Sequence, residues 1–272
     1  MIVDDFQLGF RNVHELLEAP RRAFRALRFD SNNDCNVRCV YCHNPRSEDL
    51  VELDDFRRAL ASGVESVDLF QVGCAMEPTL DQRLCDFLEA IAQSHLRPRR
   101  VRLQTNGILL HRHDHARMVA AGLNALSVSV DSASAETHRD LRGGTSLARV
   151  DGNLREFRRL CPQVPIETLT TVTAANIDEL EELVAWGLEL GIGRFTFRQM
   201  FYFEGSRDVQ HDRMPALMVT SRRFLAARDR VQARFGRLAQ VVFMDDGQLK
   251  QAAENTRNAS GSYQDSLRAR VR

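Results

Sequence analysis

The chain has 272 residues, of which 43% are apolar and 27% charged, enough to bury one large core and unlike a disordered or fibrous chain. Its 37 basic and 37 acidic residues cancel, so no net charge draws it to nucleic acid or to an anionic membrane. The opening MIVDDFQLGF lacks the basic flank and apolar run of a signal peptide, and no stretch approaches the roughly 18 apolar residues of a membrane span. A cytoplasmic protein is expected, in which clustered cysteines bind metal or do chemistry rather than form disulfides.

Residues 1–24 read as an N-terminal extension, 25–245 as a single core, and 246–272 as a polar, loosely packed tail. Within the core, strand-like runs alternate with helical patterns: ALRFDS (26–31), SVDLFQV (66–72), RVRLQT (100–105), ALSVSV (125–130), IETLTTV (166–172) and RFTFRQM (194–200). Between the second and third, TLDQRLCDFLEAI places Leu80, Leu84, Phe87, Leu88 and Ile91 on one helical face. The alternate histidines of HRHDHAR, His111, His113 and His115, lead into a helix and are expected in solvent. Asn176 and Glu179 have the spacing of a capping box, and Gly191 marks a helix stop. Six strands, each followed by a helix, predict an α/β fold with a parallel sheet, a partial (β/α)6 TIM-like barrel. VVFMDDGQLK is a candidate final strand and turn, its Asp245 and Asp246 either closing the lumen or lying on the surface.

Alternation within the strands predicts what the barrel holds. In ALSVSVD, Leu126, Val128 and Val130 share one face and Ser127, Ser129 and Asp131 the other. Arg102 and Gln104 repeat the polar row on the third strand, as do Thr196 and Arg198 on the sixth. On IETLTTV the inward face is undecided between Glu167 with Thr171 and Thr168 with Thr170. A closed barrel fills its centre with Val, Ile and Leu, so a polar row implies a wet, ligand-holding lumen.

Three of the six cysteines, Cys35, Cys39 and Cys42, stand in CNVRCVYC at a C-x3-C-x2-C spacing. A structural zinc site takes four ligands, usually in two pairs. No second pair exists here, and His43 adjoins Cys42 too closely to complete a set comfortably. Cys74, Cys85 and Cys161 are scattered and read as small buried hydrophobes. Three thiolates suit a [4Fe-4S] cluster with one iron left open to a small molecule.

CNVRCVYC, placed after a strand and with the aromatic Tyr41 before its last cysteine, resembles the signature of the radical S-adenosylmethionine (radical SAM) superfamily. The resemblance implies that S-adenosylmethionine (SAM) chelates the open iron and is cleaved to methionine and a 5'-deoxyadenosyl radical, which takes hydrogen from a substrate. AMEP resembles the family's G-G-E-P segment, with Glu77 in the place of the glutamate that receives the methionine amino group, and with Ala75 and Met76 where the family has glycines. LQTNG and SVSVDS resemble the third and fourth strand ends, which implies cofactor contacts from Thr105, Asn106, Ser129 and Asp131. HRDLRGG, with Arg142, is similar to a loop of the subgroup containing molybdopterin-precursor and peptide-modifying synthases. Arg198 is either a carboxylate or substrate ligand or one half of an ion pair with Glu167. No cysteine follows Cys161, so one cluster is expected.

The resemblance leads to a radical enzyme acting on a polar metabolite or short peptide, supplied with electrons by a flavodoxin- or ferredoxin-type partner. A second reading, from His43 and Asn44 in CVYCHNP, is an activase that places a glycyl radical on a protein. A third is an electron-transfer or zinc-binding protein without catalysis.

Overall fold

The computed structural model describes residues 2–3, 8–9, 22–42, 44, 46–200 and 214–245. One sheet of nine strands runs through them: β1 (Ile2–Val3), β2 (Leu8–Gly9), β3 (Arg22–Phe29), β4 (Val64–Val72), β5 (Arg100–Thr105), β6 (Ala125–Ser129), β7 (Ile166–Val172), β8 (Arg194–Gln199) and β9 (Gln240–Met244). Their order is β2-β1-β3-β4-β5-β6-β7-β8-β9. The seven strands from β3 to β9 are parallel, while β1 pairs antiparallel with both β2 and β3. The sheet curls into an open half-barrel. Seven parallel strands replace the six expected, because QVVFM pairs with β8 over five rungs.

Helices α1 (Leu53–Gly63), α2 (Leu84–Gln93), α3 (His115–Ala120), α4 (Ala135–Leu141), α5 (Leu147–Leu160), α6 (Leu180–Glu189), α7 (Met214–Leu217) and α8 (Ser221–Phe235) fill the crossovers. Leu84, Phe87, Leu88 and Ile91 of α2 are buried as their spacing requires, whereas Leu80 belongs to a separate 3-10 turn, Pro78–Leu80. Behind the sheet, Phe56 of α1 stacks on Phe29 at 4.3 Å between ring centroids, and Phe87 of α2 lies 5.2 Å from both. Such pairs add to area burial and fix helix position.

At the end of α6, Gly191 has φ 71° and donates to the Leu188 carbonyl (2.9 Å), while Ile192 donates to that of Gly187 (2.9 Å). This is the glycine stop the sequence announced. The capping box does not form. Helix α6 opens at Leu180, and Asn176 instead accepts from Thr173 N (2.7 Å) and donates to the carbonyls of Asp131 (2.7 Å) and Thr171 (2.9 Å). Glu179 turns back to Thr137 Oγ1 (2.8 Å) and to Ser132. Local spacing was outbid by buried strand-end groups that needed partners.

Of the three alternate histidines only His111 lies in solvent. His115 is buried against Phe157, with Nε2 3.0 Å from the Leu110 carbonyl. His113 is half-buried, with Nε2 3.0 Å from the Thr79 carbonyl, and burial lowers its pKa. The stretch is not a free histidine strip, because the 3-10 turn Leu110–Arg112 carries it inward before α3 begins.

Candidate active site

Strand register settles which side chains face the lumen. Arg28, Gln71, Arg102 and Ala125 form one row across β3 to β6, and Gln104, Ser127, Glu167, Arg194 and Gln240 form the next across β5 to β9. Above them come Ser129, Leu169, Thr196 and Val242, then Thr171, Arg198 and Met244. Glu167 and Thr171 therefore share the inward face of β7 with Leu169, while Thr168 and Thr170 are buried on the helix side.

The lower lumen is filled rather than open. Arg102 donates from Nη1 to Glu167 (2.7 Å) and from Nε to Gln71 Oε1 (3.0 Å), and Gln71 Nε2 reaches Gln104 Oε1 (3.0 Å). Arg100 and Arg194 approach the same carboxylate at 3.6 and 3.3 Å. Arg102, Gln104 and Glu167 are thus spent on one another and form a polar plug. A cavity of about 810 Å³ lies beyond the plug, at the amino ends of the strands, lined in part by Arg25, Asp68, Arg99 and Arg100. Above the plug lie Ser129, Thr171, Thr196 and Arg198. Arg198 sits in the row of Thr171, four residues beyond Glu167, which pairs instead with Arg100, Arg102 and Arg194.

The cysteine loop leaves the carboxyl end of β3, where strand-end loops of such barrels gather their chemistry. Cys39 is buried and Cys35 and Cys42 are partly so, all three as free thiols. Arg46 fastens the loop by donating to the Cys35 carbonyl (2.6 Å) and to that of Val37. A turn joins Cys42 N to the Cys39 carbonyl (3.0 Å), and Val40 N reaches the Leu141 carbonyl (2.9 Å). Gly143, at φ 63°, lets the following loop lie against this one, since a Cβ there would stand 2.2 Å from the Arg38 carbonyl oxygen. Burial pushes the Cys35 thiol up to about 11 and raises that of Cys39, so both carry protons at neutral pH, and a metal bound there would have to displace them. Among the described residues no three His, Cys, Asp or Glu side chains converge on one ion. Thiolates that each hold a different iron of a cluster need no such convergence, and the donor set of three thiols on one pinned loop fits that group. His43 lies outside the described residues, as does Asp246; Asp245 follows β9 directly and is half-buried.

Glu77 is 2% exposed, and its carboxylate accepts from Thr79 N (3.0 Å), Thr79 Oγ1 (2.5 Å), Thr105 Oγ1 (2.6 Å) and Asn106 N (2.7 Å). Burial raises its pKa against the pull of those four donors. Asn106 Nδ2 in turn holds Asn36 of the cysteine loop (2.7 Å). Thr105 and Asn106 therefore meet Glu77 directly and lock two strand ends together, which no spacing in the sequence announces.

Asp131 lies deeper. Its Oδ2 accepts from the Tyr41 hydroxyl and from Arg142 Nη1 (3.1 Å), and its Oδ1 from Thr171 N (2.9 Å). Arg142 also donates to the Tyr41 oxygen (3.0 Å). Burial alone would lower the Arg142 pKa, but Cys39, Tyr41 and Asp131 around it hold its proton firmly. This buried triad ties the cysteine loop to β6, to β7 and to the end of α4.

Beside it on α4, His138 is fully buried, and among the described residues neither ring nitrogen has a hydrogen-bond partner. Burial, reinforced by the charge of Arg142, lowers its pKa from 6.5 to about 4. Neutral in the fold and protonated in the unfolded chain below pH 6.5, it contributes full stability above that pH and loses it as pH falls toward 4. Urea unfolding of the iron-free protein should show a loss of about 2 kcal/mol between pH 7 and pH 5 from this group, and His138→Leu should flatten that part of the profile.

A family model described as the Radical SAM superfamily matches residues 31–187, more than half of the chain. The chain belongs to the radical SAM superfamily. It is an enzyme family whose cofactors are a [4Fe-4S] cluster and SAM, and this radical SAM protein shares them. Its curated relatives include a GTP 3',8-cyclase from Streptomyces coelicolor, 28% identical over 225 residues, which are 77% of this chain and 61% of the relative. A GTP 3',8-cyclase from Klebsiella pneumoniae is 32% identical over 186 residues, 63% of this chain and 54% of that one. The radical SAM chain thus spans between 54% and 61% of the length of these two relatives.

Solved structures share the fold at low identity. Streptococcus suis SuiB bound to S-adenosylmethionine superposes with a TM-score of 0.64 at 17% identity, over 84% of this chain and 51% of SuiB. The enzyme anSMEcpe with bound AdoMet and the Cp18Cys peptide gives 0.60 at 18% identity, over 80% and 62%. Among the described residues no helix is long and apolar enough to cross a membrane.

Proposed function

We propose that this radical SAM protein takes a hydrogen atom from a polar small molecule or short peptide held in the upper half of its barrel. The cluster, when bound, supplies the electron that cleaves SAM to methionine and a 5'-deoxyadenosyl radical. Cys35, Cys39 and Cys42 hold that cluster, and a flavodoxin- or ferredoxin-type protein delivers the electron. Ser129 and Arg198 reach the cofactor from the lumen side. Glu77, Thr105, Asn106 and Asp131 bind it chiefly by holding the walls of the site, for their polar atoms already bond one another and the cysteine loop; Glu77 Oε2, with one donor, keeps an acceptor position for the methionine amino group.

The observation that carries this reading is the polar ladder above the plug. Thr171 and Thr196 place hydroxyls on rigid strands, with Arg198 in the row of Thr171, and the plug beneath supplies a floor. Rigid donors orient a substrate so that position decides which hydrogen is removed. The relatives named GTP 3',8-cyclase and a SuiB structure bound to the precursor peptide SuiA make GTP and short peptides the first compounds to test. Reconstituted protein, reduced anaerobically with SAM, should form more 5'-deoxyadenosine with one such compound, and deuterium should pass from it into the nucleoside. Turnover that needs a large protein partner would overturn the proposal in favour of the activase reading.

A further inference from the structure

We infer that Asp30 is a positioning residue for SAM: its carboxylate fixes the backbone of residues 74–76, where this chain lacks the paired glycines of the family segment it resembles. This rests on the cofactor reading of that segment given above.

The parallel pairing of β3 with β4 runs to Phe29 opposite Val72, and Gly73 N still reaches the Phe29 carbonyl (2.8 Å). Past that rung the backbone of β3 turns away into the cysteine loop, and the next amides of the β4 loop lose their backbone partner. The Asp30 side chain replaces it. Its Oδ1 accepts from Cys74 N (2.7 Å) and Met76 N (3.3 Å), and its Oδ2 from Ala75 N (3.1 Å). Successive amides aimed at one anion form the concave arrangement that proteins use to seize phosphates. Here the chain supplies the anion itself.

Three charge-assisted bonds from one side chain do more than satisfy the amides. Ala75 and Met76 have a narrower choice of backbone angles than glycine, yet nothing in their side chains selects one conformation. The carboxylate does, because all three N–H vectors must converge on it. The far side of the same loop is stitched to the cysteine loop by Asn44 Nδ2 to the Ala75 carbonyl (3.3 Å), Glu77 N to the Asp34 carbonyl (3.0 Å) and Asn32 Nδ2 to the Glu77 carbonyl (3.1 Å). Asp30 is therefore the pivot from which both cofactor-facing loops take their separation.

Asp30→Asn keeps the shape but removes the charge and one acceptor. In the iron-free protein, amide hydrogen exchange across residues 73–77 should quicken by about tenfold, corresponding to about 1.4 kcal/mol, while segments from β5 to β7 exchange as before. After anaerobic reconstitution the iron content should match that of the wild-type protein, and the SAM dissociation constant from equilibrium dialysis should rise about tenfold. Should the asparagine variant not fold, Asp30→Ser gives the same two readings. Quicker exchange with unchanged SAM affinity would reduce Asp30 to a structural residue and overturn the inference, as would unchanged exchange. Wild-type protein that binds no SAM would overturn the cofactor reading itself, a result independent of the substitution.

Discussion

Cys39→Ala protein, reconstituted anaerobically, is expected to hold no stable cluster, against about four irons per chain for the wild type. With three thiolates for four irons there is no spare ligand, so losing one leaves two. Cys39 is also the most enclosed of the three, buried among Arg142, Asp131 and Tyr41. Cys85→Ala and Cys161→Ala should keep the full iron content, because both thiols are packed in the core against main-chain carbonyls, those of Asp114 (4.0 Å) and His115 (3.8 Å). Iron and sulfide analysis with the visible absorption spectrum decides the matter. A full cluster in Cys39→Ala protein would sink the ligand assignment.

Arg142→Met is expected to destabilise the iron-free protein by about 3 to 5 kcal/mol, the cost of leaving a buried charge without its partner. Asp131 is 1% exposed and Arg142 6%, so both are almost wholly withdrawn from water. Tyr41 and Thr171 would still donate to the carboxylate, but neither carries charge. Adding Asp131→Asn to Arg142→Met should recover part of the loss, since the double variant buries no ion. Urea unfolding of the wild type and both variants at pH 7 measures these differences. A loss below about 1 kcal/mol for Arg142→Met would put the pair in the class of solvated surface bridges and remove its claim to pin the cysteine loop.

The residues that define this site differ in how far the chain alone announces them. The cysteine triplet is local: eight consecutive residues fix the donor type, number and spacing. The strand alternation of ALSVSV is local as well, because side chains on a strand must point to opposite faces. Six of the seven parallel strands follow from such runs; the seventh, Gln240–Met244, was readable only as a candidate, because VVFM is an unbroken apolar run without the alternation that marks a strand.

Tertiary structure decided everything that depends on pairs distant in sequence. Whether Glu167 faces inward turned on its register with Arg194 and Ser127. Whether Arg102 and Gln104 line an open lumen or a filled one turned on Gln71 and Glu167, 31 and 65 residues from Arg102. Asp30 carries no motif, and its hold on Cys74, Ala75 and Met76 exists only because β3 and β4 end side by side. The same holds for Tyr41, Asp131 and Arg142, which span 101 residues and meet in one buried cluster. Six parallel strands, their alternation and the spacing of the three thiols could be read from the sequence alone, since each arises within a few consecutive residues. Which polar groups are spent on one another and which stay available to a ligand was decided by the fold, because a buried polar group must find a partner wherever the packed chain places one.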